Sequence, residues 1–165
     1  MEYSPNKLWL PKELHDEIIS EIEHWHPYET GGVLMGYTGS NGDVVVTYLI
    51  PCGENSVHKR MSFEPDQEFQ LQKISKIYTE SSGNITYLGD WHSHPKSTSE
   101  LSSADKRTLT KVALTKASKC PYPVMMIFAE IPSRWTVNVV RFVKGRRSIW
   151  PFSYCNYEKI DCVID

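Results

Sequence analysis

Apolar residues recur at helical spacing in three stretches of the chain. In residues 12–25, Leu14, Ile18, Ile22 and Trp25 share a face, Pro11 suits the first turn and Pro27 stops the helix. Residues 66–79, opened by Pro65, predict a second helix with Leu71, Ile74 and Tyr78 inward and Ile77 beside them. A third helix is predicted from Ser102 to residue 117, with Leu109, Val112, Ala113 and Ala117 inward. Between these stretches the pattern is that of strands. Residues 32–37 and 44–50 flank Asn41-Gly42, a strong hairpin signal. Residues 85–94, 123–129 and 136–143 are rich in β-branched and aromatic side chains and predict three more strands. The segment after Ile149 is expected to pack back onto the sheet, but no periodicity types it. This order predicts an α/β fold, a mixed β-sheet flanked by helices.

Composition narrows the class of protein. With 165 residues and no repeat, linker or low-complexity tract, the chain reads as a single domain over residues 1–165. Such a length buries a substantial core without disulfides. Apolar residues at 40% and charged residues at 23% exclude a disordered or membrane composition. The net charge of -2 gives no bulk electrostatic reason to bind nucleic acid, and Lys144, Arg146 and Arg147 read as a solvated loop. None of Cys52, Cys120, Cys155 and Cys162 forms a C-x-x-C pair, which argues against a structural zinc knuckle. Residues 1–10 hold no apolar export signal and no stretch approaches a membrane span. The expectation is therefore a cytoplasmic protein with reduced thiols and neither a nucleic-acid nor a membrane partner.

The chemistry concentrates around His92-Ser93-His94. Residues two apart on a strand point to the same face, so both imidazoles can reach one metal ion while Ser93 points away. Alone, such a pair is weak evidence. Pro95 ends the strand here, where loops and clefts form. Seven residues later, Ser102-Ser103-Ala104-Asp105 precedes an apolar helical pattern and reads as a capping box. The same carboxylate, held anionic by the positive helix end, is also a suitable metal ligand, and the two readings are compatible. Two histidines and one carboxylate supply the three protein ligands of a catalytic zinc site, one zinc per chain, with a fourth position kept for water. Such a site needs a general base that is not a ligand. Glu29 is the candidate, because it precedes Gly31-Gly32, where the backbone can turn tightly and approach a neighbour closely.

Glu29-Thr30-Gly31-Gly32-Val33-Leu34-Met35-Gly36, then His92-Ser93-His94-Pro95, then Ser102-x-x-Asp105 resembles the signature of the JAMM (MPN+) metallopeptidases. The resemblance covers the first helix to the strand near Val143 and includes the seven-residue gap between His94 and Ser102. It implies a cytidine-deaminase-like fold and zinc isopeptidase activity on conjugates of ubiquitin or ubiquitin-like proteins. By match of position, His92, His94 and Asp105 would be ligands, Glu29 the general acid/base and Ser102 an oxyanion stabiliser. Gly89-Asp90-Trp91-His92 departs from the eukaryotic deubiquitinases and looks like the short bacterial members, some encoded beside ubiquitin-activating-like enzymes in antiphage cyclic-nucleotide signalling operons. Asp90 shares the parity of His92; a partner that supports the metal ligands is one reading of it, and an ordinary surface aspartate is the simpler one. The short region 52–63 leaves no room for long linkage-selecting insertions.

The implied partners are a ubiquitin-like protein or its conjugate, and ubiquitin-activating or conjugating-like enzymes. Trimming the tail of a ubiquitin-like or sulfur-carrier precursor is the alternative activity. A catalytically silent scaffold fits less well, since all five motif residues are present. A nucleobase deaminase would need a P-C-x-x-C ligand pair, which the lone Cys120 ahead of Pro121 does not supply.

Overall fold

The computed structural model describes residues 6–149 and 152–165, with side chains left aside for 145–149 and 152–156. Among these residues nine strands and three α-helices follow one another as β1 (Lys7–Leu10), α1 (Lys12–Trp25), β2 (Gly31–Thr38), β3 (Val44–Ile50), β4 (Val57–His58), β5 (Phe63–Glu64), α2 (Gln67–Glu80), β6 (Thr86–His94), α3 (Ser103–Leu114), β7 (Val124–Ile131), β8 (Arg134–Ile149) and β9 (Phe152–Ile164). The order β1-β3-β2-β6-β7-β8-β9 closes on itself, because β1 pairs in parallel with both β3 and β9. The sheet is mixed as expected: β6 and β7 are also parallel, and the remaining ladders are antiparallel. β4 and β5 form a separate two-stranded hairpin.

The pleat sorts the apolar residues onto two faces. Inside, Ile18 and Ile22 of α1 join Leu8, Leu34, Val46, Trp91, Phe128, Val139 and Ile160, so every strand of the closed sheet contributes. Outside, α2 covers Val33, Met35 and Ile50. Leu109 of α3 lies over Met125 and Ile127 of β7.

Several expectations change. The packing face of α2 carries Phe69, Ile74 and Ile77, while Leu71 is 65% exposed and Tyr78 36% exposed. The helix is opened by Asp66, whose carboxylate accepts from the Phe69 amide at 3.1 Å, and the face that meets Val33, Met35 and Ile50 leaves Leu71 on the solvent side. The third helix stops at Leu114, and Ala117 lies exposed in a short 3-10 turn. Lys144, Arg146 and Arg147 lie on β8 and not in a loop; the side chains of the two arginines fall outside the described residues. The untyped segment after Ile149 is β9, which pairs with β8 and β1. β1 and the β4–β5 hairpin are too short for a periodic signal.

A bulge in β6 positions the site. Leu34 pairs with Gly89 and Met35 with Tyr87, so Leu88 is the extra residue. Gly89 has φ of 152°, and a Cβ there would sit 1.9 Å from the Val124 carbonyl oxygen. Beyond the bulge Trp91 points into the core, and Asp90, His92 and His94 share the outer face. Gly89→Ala is expected to destabilise the fold by about 1–3 kcal/mol or more, from backbone strain and overpacking together. A drop in the urea midpoint with unchanged m-value is the measurement; an unchanged midpoint would refute this account of the bulge.

Candidate metal centre

β6 ends at His94, and the chain returns through residues 95–101 to the start of α3. Ser102 is the N-cap, and the capping box is complete: Ser102 Oγ accepts from the Asp105 amide at 3.1 Å, and Asp105 Oδ2 accepts from the Ser102 amide at 2.7 Å. That geometry points the other carboxylate oxygen across to the strand. Asp105 Oδ1 lies 3.3 Å from His92 Nε2, and Asp105 Oδ2 lies 3.7 Å from His94 Nε2. The two Nε2 atoms are 2.9 Å apart. One donor atom from each residue thus falls within 4.8 Å of the others.

This donor set fits a metal ion. His94 Nδ1 lies 2.8 Å from the Thr98 carbonyl oxygen, which can only accept, so Nδ1 carries the proton and Nε2 is left with a lone pair. Two ring nitrogens and a carboxylate oxygen converge there, and only a proton or a cation relieves their mutual repulsion. Burial lowers the His94 pKa, helped by the His92 charge. Burial alone would raise the Asp105 carboxyl, but hydrogen bonds from His92 and Ser102 outweigh it and bring it down to about 2. A neutral imidazole beside an ionised carboxylate is the state a metal requires.

The loop carrying Thr98 is tied down by a residue that sequence reasoning passed over. Asn138 Nδ2, buried on β8, donates to the Ser99 carbonyl at 2.9 Å. Its register places it in the row Gly31–His92–Ile127–Asn138 across four strands. A signal existed: Asn138 interrupts a run of β-branched residues in a buried strand. The Thr98 carbonyl left no side-chain signal at all. Asp90 is half-buried and accepts from the Tyr87 hydroxyl at 2.9 Å, so it is not a surface aspartate. Burial raises its carboxyl to about 6 against the opposing pull of Tyr87 and His92.

Glu29 stands opposite the end of β6. The Ser93 amide donates to the Thr30 carbonyl at 2.9 Å, and Ser93 Oγ accepts from the Thr30 amide at 3.1 Å. Gly31 and Gly32 lie in β2 and do not form a turn. Their role is close approach: a Cβ on Gly31 would lie 2.4 Å from the Trp91 carbonyl and 2.9 Å from His92 Cβ. Burial raises the Glu29 carboxyl to about 7, with the His92 charge opposing and the Asp105 charge adding to the shift. The described thiols offer no activated nucleophile, since burial pushes Cys120 and Cys162 to about 11 and raises Cys52 as well.

Residues 11–142 match the family of prokaryotic homologues of the JAB domain. The chain belongs to that family. It is 34% identical to a probable metalloprotease of Sinorhizobium fredii over 79% of this chain and 80% of the relative. It is 28% identical to a CD-NTase/cGAS isopeptidase of Escherichia coli over 82% of this chain and 80% of the relative. The solution structure of a Desulfitobacterium hafniense protein superposes with a TM-score of 0.68 at 19% identity, covering 96% of this chain and 92% of that one, and shares the fold. This JAB-family chain is a hydrolase of the metallopeptidase and isopeptidase type. Among its described residues no helix is long and apolar enough to cross a membrane.

The raised Glu29 carboxyl has a consequence for stability. Its ordinary value is 4.5 and its folded value about 7, so the folded chain holds this proton more tightly than the unfolded chain. Stability from this group is full below pH 4.5 and is lost as pH rises to 7. Glu29→Gln removes that loss. Because the group is half-buried, the gain at pH 8 is discounted to about 1 kcal/mol, a rise of a few degrees in melting temperature. The two proteins should melt together near pH 4. Equal melting at pH 8 would show that Glu29 is not held up by burial.

Proposed function

We propose that this JAB-family hydrolase is a zinc isopeptidase that releases a ubiquitin-like protein from a conjugated lysine. The observation that carries the reading is the convergence of His92 Nε2, His94 Nε2 and an Asp105 carboxylate oxygen at the end of β6, beside a carboxyl poised near neutrality. In this reading His92, His94 and Asp105 hold the ion. Zinc bound there would supply Lewis acidity, lowering the pKa of water and polarising the scissile carbonyl.

The chain's own residues do the remaining work. Glu29, with a carboxyl near 7, takes the proton of the attacking water and later delivers it to the departing amine. Its value suits both directions at neutral pH. Ser102 Oγ accepts from the Asp105 amide in the cap, and the exposed residue carries a hydroxyl hydrogen that can turn from the Asp105 carboxylate. That hydrogen is donated to the oxyanion that forms on the carbonyl. An extended substrate tail would pair by strand addition at a sheet edge, and among the described residues the β4–β5 hairpin is the sheet that does not close on itself. The name of the Escherichia coli relative, a CD-NTase/cGAS isopeptidase, supports a CD-NTase as the conjugated target. A role in defence signalling in the cytoplasm belongs to the same proposal.

A quenched fluorescent peptide with Gly-Gly joined to a lysine Nε tests the reading. A chelator should abolish cleavage, and alkylation of Cys52, Cys120, Cys155 and Cys162 should not. Loss on mild alkylation of a folded protein would point to a cysteine nucleophile. His92→Ala/His94→Ala should lose zinc; retention of a full equivalent would sink the ligand assignment. Glu29→Ala should keep zinc while turnover falls roughly 100-fold to 10,000-fold. Cleavage within about threefold of wild type would remove Glu29 from the reaction, and cleavage of only a linear Gly-Gly precursor would favour tail processing.

A further inference from the structure

Glu29 lies outside regular structure, between the end of α1 and the start of β2. No ladder of the main sheet orients it. Both of its backbone polar groups are instead bonded to consecutive residues of the β4–β5 hairpin. The Glu29 amide donates to the Lys59 carbonyl at 2.8 Å, and the Glu29 carbonyl lies 2.9 Å from His58 Nδ1. A carbonyl oxygen only accepts, so His58 Nδ1 is the protonated nitrogen.

The His58 ring is itself fixed on three sides. It lies flat on Trp25, with ring centroids 3.4 Å apart and 8° between planes. Phe63 tilts against it at 5.2 Å. Its Nε2 is 2.8 Å from Ser56 Oγ, which is also 2.7 Å from the Gly53 carbonyl. Trp25 is held in turn, its Nε1 donating to Glu21 Oε1 at 3.0 Å. A packing role alone would need only the flat ring. The Nδ1–H aimed at the Glu29 carbonyl is the part that packing does not explain.

We infer that His58 is a positioning residue for Glu29: its Nδ1–H, locked by the Trp25 stack, sets the rotation of the Glu29 peptide and so the aim of the carboxyl. This rests on Glu29 being the general base. A misplacement of about 1 Å in a reacting group can cost on the order of 100-fold, so a loosened peptide should register in turnover.

The test uses single-turnover and steady-state cleavage of the Gly-Gly isopeptide probe by zinc-loaded full-length protein. His58→Phe keeps the stack and removes the donor; His58→Asn restores an N–H near the Nδ1 position. In the wild-type background, His58→Phe should lower kcat about tenfold with KM within about twofold, and His58→Asn should recover most of it. In a Glu29→Gln background, His58→Phe should cost less than about twofold more, because the residue acts through Glu29. Equal losses in both backgrounds, a loss confined to KM, or no rescue by His58→Asn would overturn the inference while leaving the base intact. If Glu29→Gln itself cleaves within about threefold of wild type, the base assignment fails and the positioning role falls with it. Should His58→Phe not fold, His58→Gln, whose side-chain amide reaches the Nε2 but not the Nδ1 position, removes the donor in its place and carries the same comparison. Long-range 1H–15N spectra of the intact protein must also show His58 protonated at Nδ1, and protonation at Nε2 alone would refute it.

Discussion

The alternation of β6 is the constraint on which the site depends. Trp91 and Ser93 point inward, one into the core beside Phe128 and the other onto Thr30. His92 and His94 are therefore driven outward by residues that do no chemistry. A buried tryptophan is worth several kcal/mol, far more than the cost of facing two imidazoles towards each other. Turning the histidines inward would expose Trp91 and bury two titratable rings. The phase of this alternation is set upstream at Leu88, where the bulge shifts the register by one residue. A one-residue slip would reverse every side chain beyond it. Gly89 is where the sheet makes room for that shift, against the Val124 carbonyl.

The helix start completes the arrangement through a division of labour within one carboxylate. Capping and metal binding look like rival readings of Asp105, and for a side chain with one acceptor they would be. Here Oδ2 serves the Ser102 amide and Oδ1 faces His92. The cap is worth on the order of 1 kcal/mol, too little to hold a loop but enough to orient a carboxyl already at the right end of the helix. The loop is held by other contacts, from Asn138 to Ser99 and from His94 to Thr98. These tie the second histidine to the same loop that delivers Asp105, so neither can move without the other.

What could be read in advance follows the range of the interactions involved. Strand parity and helix capping act over two or three residues, and these put His92, His94, Ser102 and Asp105 in view before any fold was known. Long periodic elements such as α1 were legible to the residue, since four apolar side chains at helical spacing leave little choice of phase. In α2 the phase differs from the expected one, because Phe69, Ile74 and Ile77 compete with Leu71 and Tyr78 and only packing on Val33, Met35 and Ile50 decides between them. Closure of the sheet was invisible: it depends on the four residues of β1 meeting β9 across more than 150 positions of chain. The β4–β5 hairpin escaped for the same reason, since two-residue strands have no period.

That hairpin bears on how Glu29 acquires its properties. A carboxyl raised to about 7 must lose water, and burial is the largest cause of its shift. Burial normally comes from packing into a sheet or helix, yet Glu29 belongs to neither. The backbone contacts explain how an irregular segment can still hold a partly desolvated acid. Lys59 and His58 satisfy the Glu29 peptide groups, so burying this residue leaves neither its amide nor its carbonyl unpaired. With that penalty removed, the remaining cost of burial falls on the carboxyl itself, which answers by holding its proton to higher pH. The hydrogen bonds that fix where Glu29 points therefore also permit the environment that tunes its acidity. A substitution that loosens them should disturb both properties together, whereas one that only removes apolar cover should lower the pKa and leave the direction unchanged.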